Sequence, residues 1–288
     1  MFMYFIGEGV KWLQRKPGPL VIIGGAEDKS GECKILRRFL ELGGGHHARV
    51  LVMTVATELS VEVGSAYIEL FGRLGVEDVR TFDVSTRSAA NKDTAVTMIE
   101  GASCIFFTGG EQLRITKLLG GTRVDAALHD ASARGIVLAG TSAGASMMSS
   151  TMIVDGEAET NPRISIVSMA PGMEFLEGVV VDQHFAQRGR LGRLLSAVAQ
   201  YPHHLGMGID EDTAIVVQDG VLEVIGRGAV SIVDAGRLTH SNLEKVDADA
   251  SLALCNVKLH ILPSGYGFHL RKRDPIEDFQ TWKSKELS

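Results

Sequence analysis

The first half of the chain alternates short apolar runs with longer segments whose apolar residues recur every three or four positions. "PLVIIGG" (19–25) is apolar at consecutive positions, as a strand covered on both faces is. Ile35, Leu36, Phe39 and Leu40 then follow helical spacing. "ARVLVMTVA" (48–56) predicts a second strand, and Leu59, Val63, Ala66, Tyr67, Leu70, Phe71 and Leu74 mark one face of the next helix. "VRTFDV" (79–84), "SCIFFTGG" (103–110) and "GIVLAG" (135–140) predict further strands, with helical stretches between them. Strands apolar on both faces and separated by helices build a mostly parallel sheet covered on both sides. Right-handed crossovers make that α/β sheet doubly wound. Beyond residue 205 the rhythm shortens: "LGMGI", "TAIVVQ", "VLEVIG", "AVSIVD" and "LALCNVKLHIL" succeed one another with turns such as "QDG". This pattern predicts additional C-terminal antiparallel strands. No Pro/Ser-rich linker or repeat interrupts the chain, so one domain over 1–288 is expected, with 1–18 and 272–288 as tails of no assigned element.

The composition is that of an ordinary globular protein, and a formal net charge of -6 argues against a general nucleic-acid or membrane-surface binder. Cys33, Cys104 and Cys255 are scattered, without disulfide or zinc-type spacing, which points to a reducing cytoplasm and no metal. The start, "MFMYFIGEGVKWLQRKPGP", has its basic residues after a short apolar stretch, so no signal peptide is expected. No segment approaches the ~20 apolar residues of a membrane span.

In an open α/β sheet, ligands bind beyond the carboxyl ends of the strands. Gly140-Thr141-Ser142-Ala143-Gly144 fits G-x-S-x-G between a strand and "ASMMSSTMI", which predicts a helix. In that setting the Ser142 hydroxyl projects above the sheet, and the Ala143 N–H is placed for an oxyanion. A tight turn of small residues is the competing reading. A serine nucleophile needs a base. Of the nine histidines, His46, His47, His203 and His204 read as exposed loop residues, whereas His184 ends "GVVVDQHF" at a strand terminus. Such a base needs an orienting carboxylate, and "LGMGIDEDTAIVV" offers Asp210, Glu211 and Asp212 without ranking the first two. "FFTGGEQ" adds Gly109, Gly110 and Gln112, and "HFAQRGRLGRLL" adds Arg188, Arg190 and Arg193. Arginine forks suit carboxylate ligands, though a solvent-facing helix would read the same.

"GTSAGA", "VVDQHFAQRGRLGRL" and "GIDEDTA", in that order, closely resemble the cyanophycinases, serine peptidases related to dipeptidase E. The resemblance runs from "VIIGGAEDK" through the late strands. It implies a flavodoxin-like or class I amidotransferase-like fold, a homodimer, and a triad of Ser142, His184 and Glu211. Gly110 and Ala143 would supply the oxyanion N–H groups, and Gln112, Asp182, Gln183, Arg188, Arg190 and Arg193 would line the pocket. The implied substrate is cyanophycin, a poly-aspartate backbone with arginine on each side-chain carboxylate, cut to β-Asp-Arg dipeptides without any cofactor. Its carboxylates would meet the arginines, and its own arginines an acid such as Asp182. A dipeptidase E-like enzyme for other aspartyl peptides shares this chemistry. A glutamine amidotransferase would need cysteine where Ser142 stands. A non-catalytic ligand-binding domain would have to use "VIIGGAEDKS", which is neither G-x-G-x-x-G nor a P-loop.

Overall fold

The computed structural model describes residues 16–158 and 160–286. The early apolar runs become β1 (Leu20–Ile23), β2 (Arg49–Met53), β3 (Asp78–Phe82), β4 (Cys104–Phe107) and β5 (Val137–Thr141). They lie parallel in the order β3-β2-β4-β5-β1. Between them run α1 (Lys34–Gly43), α2 (Ser60–Arg73), α3 (Asp93–Glu100), α4 (Gln112–Leu119) and α5 (Arg123–Ala133). Strand alternation decides which layer each side chain joins. Val21, Ile23, Val50, Val52 and Phe106 pack on α1 and α2, whereas Leu20, Ile22, Leu51, Met53 and Phe107 face α3, α4 and α5. The sheet is therefore doubly wound.

Two elements depart from the sequence pattern. The segment after Ser142 forms only one helical turn, α6 (Ala143–Ser146), before β6 (Thr151–Gly156), which pairs antiparallel with β7 (Val167–Pro171). Thr151, Ile153 and Val154 favour a strand over continued helix, and the Ser149 hydroxyl is taken up by the Val181 N–H.

The second departure is larger: the late strands serve two sheets. β8 (Val179–Gln183) and β9 (Leu205–Ile209) are parallel neighbours in a separate four-stranded sheet, joined by α7 (Leu191–Gln200). "LGMGI" therefore does not simply extend an antiparallel add-on; α7 supplies the crossover that parallel pairing requires. β10 (Thr213–Gln218) and β11 (Val221–Gly226) form a hairpin on the open edge of β1, which grows to nine strands with Gly267–His269 and Asp274–Ile276. β12 (Ala229–Asp234) returns to the smaller sheet beside β9. Val179, Val181, Met207, Ile209 and Ile232 share a core with the large sheet, and Val180 and Val233 pack on Leu194 and Val198 of α7.

Much of the expected C-terminal tail is ordered in this way, closing with α8 (Phe279–Glu286), whose Phe279 packs on Val221 and Ile276. Of the expected N-terminal tail, residues 1–15 lie outside the described residues. His204, expected in an exposed loop, is buried and stacks on Tyr201. Cys33 and Cys104 are buried free thiols, and burial pushes Cys104 up to about 12. Among the described residues, no helix is long and apolar enough to cross a membrane.

Phe106 is the hub of the α1/α2 layer, with ring centroids 5.6 Å from Phe39, 5.0 Å from Tyr67 and 5.6 Å from Phe71. Truncating it opens a cavity among rings that cannot collapse freely. Phe106→Ala should cost about 3–5 kcal/mol, measured as a lowered urea midpoint at unchanged slope.

Candidate active site

β5 ends at Thr141, and Ser142 turns the chain with φ 54° and ψ −111°. A non-glycine residue held there costs about 1–3 kcal/mol and persists only when its surroundings over-determine it. One restraint is the Ser142 N–H, which donates to the Ile23 carbonyl at 3.1 Å. Another is the close approach of the following turn to β4. A Cβ on Gly144 would sit 2.4 Å from the Phe107 carbonyl oxygen, so only glycine fits.

His184 follows β8 of the smaller sheet, also at positive φ, and its N–H donates to the Gly24 carbonyl at 2.7 Å. Its Nε2 lies 3.1 Å from Ser142 Oγ, and its Nδ1 lies 2.6 Å from Glu211 Oε1. The imidazole rests on Gly25, where a Cβ would stand 2.3 Å from His184 Cε1. Glu211 sits in the link between β9 and β10, so it crosses from one sheet to the other. Its N–H is held by the Gln187 carboxamide at 3.0 Å. Of the two acids that the sequence leaves unranked, Glu211 is the one within hydrogen-bond distance of the ring. Asp210 accepts from the N–H groups of Ala186 and Ala229 and ties loops together. Glu211 reaches the ring.

A carboxylate on Nδ1 favours the tautomer whose Nε2 is free to accept a hydroxyl proton. Burial holds the His184 pKa below its usual 6.5; the Glu211 hydrogen bond opposes that shift, and the charges of Arg188 and Arg190 reinforce it. That direction favours the neutral imidazole. The Gly109–Gly110 turn lies beside the hydroxyl: a Cβ on Gly109 would be 3.9 Å from Ser142 Oγ. On the other side, Ala143 opens α6 with an N–H that has no intrahelical acceptor.

The arginine block is mostly turned inward. Asp182 is buried; Arg193 Nε donates to it at 2.7 Å, a second Arg193 nitrogen makes a shorter bond, and Arg190 stands at 3.4 Å. Arg190 also donates to the carbonyl and side-chain oxygen of Gln183, and burial brings its pKa down to about 10. A buried charge must be paired inside the protein, so Asp182 is not a free acid awaiting a cationic ligand. Gln112 likewise spends its Nε2 on the carbonyls of Ile153 and Val154, closing α4 over β6. Arg188 alone of the three arginines is exposed, and it has no ion-pair partner among the described residues. No group of His, Cys, Asp and Glu among the described residues is placed to hold a metal ion. Sequence reasoning passed over Glu27, a buried acid beneath the elbow; its only signal was an acid just past the glycine pair that follows β1.

The sequence profile of peptidase family S51 matches residues 20–225. The cyanophycinase of Nostoc sp. is 41% identical over 256 residues, covering 88% of this chain and 86% of that protein. The cyanophycinase of Geminocystis herdmanii is 39% identical over 259 residues, covering 89% and 95%. The crystal structure of a peptidase from an acI-B1 Actinobacterium superposes with a TM-score of 0.64 at 21% identity, over 90% of this chain and 100% of that one, so the fold is shared.

Asp182→Asn would strand the buried Arg193 and Arg190 charges. A loss of about 3–5 kcal/mol is expected, read from chemical denaturation, and a stability equal to wild type would contradict the pairing.

Proposed function

The chain belongs to peptidase family S51 and is a serine-type peptidase, and on that premise we propose that it hydrolyses cyanophycin to β-Asp-Arg dipeptides. The observation that carries this reading is the relay Ser142–His184–Glu211, with links of 3.1 and 2.6 Å, in a chain 41% identical to a cyanophycinase. His184 Nε2 takes the hydroxyl proton as Ser142 Oγ attacks the backbone amide carbonyl between two aspartyl units. Glu211 stabilises the imidazolium that forms. The N–H groups of Gly110 and Ala143 receive the oxyanion, each worth about 3–4 kcal/mol of transition-state stabilisation. The amide C–N bond breaks as His184 returns its proton to the leaving amine. Water, deprotonated by the same imidazole, then releases the acyl group and restores Ser142.

Arg188, four residues past the base, is the guanidinium available for a substrate carboxylate. Asp182 acts from behind, holding Arg190 and Arg193 as the wall of the site, with Gln183 and Gln112 completing it. The enzyme is proposed to work as a homodimer in the cytoplasm, a compartment that suits the free thiols of Cys33, Cys104 and Cys255.

Incubation with purified cyanophycin should release β-Asp-Arg, identified by mass spectrometry, and Ser142→Ala should lower kcat by roughly ten-thousandfold or more. Absence of the dipeptide, or equal release by Ser142→Ala, would overturn the reading. Because the His184 pKa is lowered, the free base persists to more acid pH, so the acid limb of kcat/KM should fall below 6.5. A limb clearly above that value would contradict a buried neutral imidazole as the base.

A further inference from the structure

Beneath the elbow lies a buried carboxylate that takes no part in the relay. Glu27 is 4% exposed and accepts hydrogen bonds on both oxygens. Oε2 takes the hydroxyl of Thr141 at 2.5 Å, and Oε1 takes the hydroxyl of Tyr67 at 2.7 Å. Lys29 Nζ stands 3.3 Å from Oε1 and 4.7 Å above the Tyr67 ring, while half its side chain remains in water. The cluster thus ties three elements at one point: the loop after β1, the last residue of β5, and α2.

Stability alone does not call for such a group. Burying a carboxylate is expensive, and replacing it and its partners together by apolar side chains of similar volume is often neutral or favourable. An acid at this place supplies direction. Thr141 immediately precedes Ser142, and its β-branched side chain is stiff about χ1. Fixing its hydroxyl therefore fixes the peptide that enters the elbow. The elbow needs this, because Ser142 sits in a conformation that relaxes unless it is held from several sides. The same loop also reaches the base: Gly24 and Gly25 lie three and two residues before Glu27, and the Gly24 carbonyl accepts from His184. Ala26, at φ 46°, bends the chain so that Glu27 returns under β5.

We propose that Glu27 is a positioning residue for the nucleophile: through the Thr141 hydroxyl it sets the Ser142 elbow in register with His184. The inference rests on the reading of Ser142 as nucleophile. Its test compares wild type, Glu27→Gln, Thr141→Val and Thr141→Ser, with Ser142→Ala as control. The measurements are cyanophycin turnover, the rate of labelling by a fluorophosphonate probe, and thermal melting. Glu27→Gln keeps the shape but turns one acceptor into a donor, so one of the two hydroxyls loses the acceptor to which it donates. Thr141→Val removes the donor and leaves the Glu27–Tyr67–Lys29 contacts intact.

For both variants, kcat and labelling rate should fall together by about 10–100-fold, the scale of a small misplacement of reacting atoms. KM should stay close to wild type, and Thr141→Ser, which returns the hydroxyl, should recover most of the loss. A folded Glu27→Gln or Thr141→Val with wild-type kcat and labelling, or a loss confined to KM, would overturn the proposal. If Glu27→Gln fails to fold, Thr141→Val decides by itself. Turnover that survives in Ser142→Ala would instead defeat the nucleophile reading on which the proposal stands.

Discussion

The peptide carbonyls of Ile23, Gly24 and Gly25 accept, in turn, the N–H groups of Ser142, His184 and Asp212. Each bond alone adds about 1 kcal/mol, but together they solve a problem of assembly. Ser142 belongs to the large sheet, His184 to the small one, and Glu211 to the link between them. Two sheets packed through apolar side chains can slide by fractions of an ångström without exposing much surface. The loop after β1 removes that freedom by offering one rigid edge on which all three segments register. Positive φ at Ser142, His184 and Asp212 shows how sharply each chain must turn to present its side chain there. Gly25 completes the arrangement by having no Cβ where the imidazole lies.

Charge around this edge is arranged in two ways. Inside, Asp182 pairs with Arg193 and, at 3.4 Å, with Arg190, so these buried charges are fixed groups rather than mobile ligands. At the base itself, burial and the nearby arginines favour neutral imidazole, while Glu211 favours the charged form. That balance suits the proposed role of His184, which accepts a proton in one step and releases it in the next. Glu211 keeps part of its side chain in solvent, whereas Asp182 is buried.

Much of this was legible in the chain. The doubly wound core follows from apolar runs at 19–25, 48–56 and 103–110, because burial on both faces leaves no room for polar alternation. Ser142, His184 and Glu211 each end or follow such a run. The two-sheet division was not legible: β9 reads like any short apolar strand, and nothing local says that its parallel partner is β8. The elbow helix was overestimated because "ASMM" favours helix while the pairing of β6 with β7, sixteen residues away along the chain from Thr151 to Val167, wins over that local preference.

Local physics, then, is what the sequence settled by itself: element type from hydrophobic period, the sharp turn from "GTSAG", and the chemistry available at each strand end. Partner choice was decided only in three dimensions. A carboxylate is an acid for a ligand, a structural counter-ion or a clamp according to what surrounds it. Asp182, Asp210, Glu211 and Glu27 are four carboxylates that the chain presents alike, and the structure sends them to Arg193, to loop N–H groups, to His184 and to Thr141. The reason is that desolvation obliges every buried charge to find a partner, and the nearest one is set by packing between elements far apart in sequence.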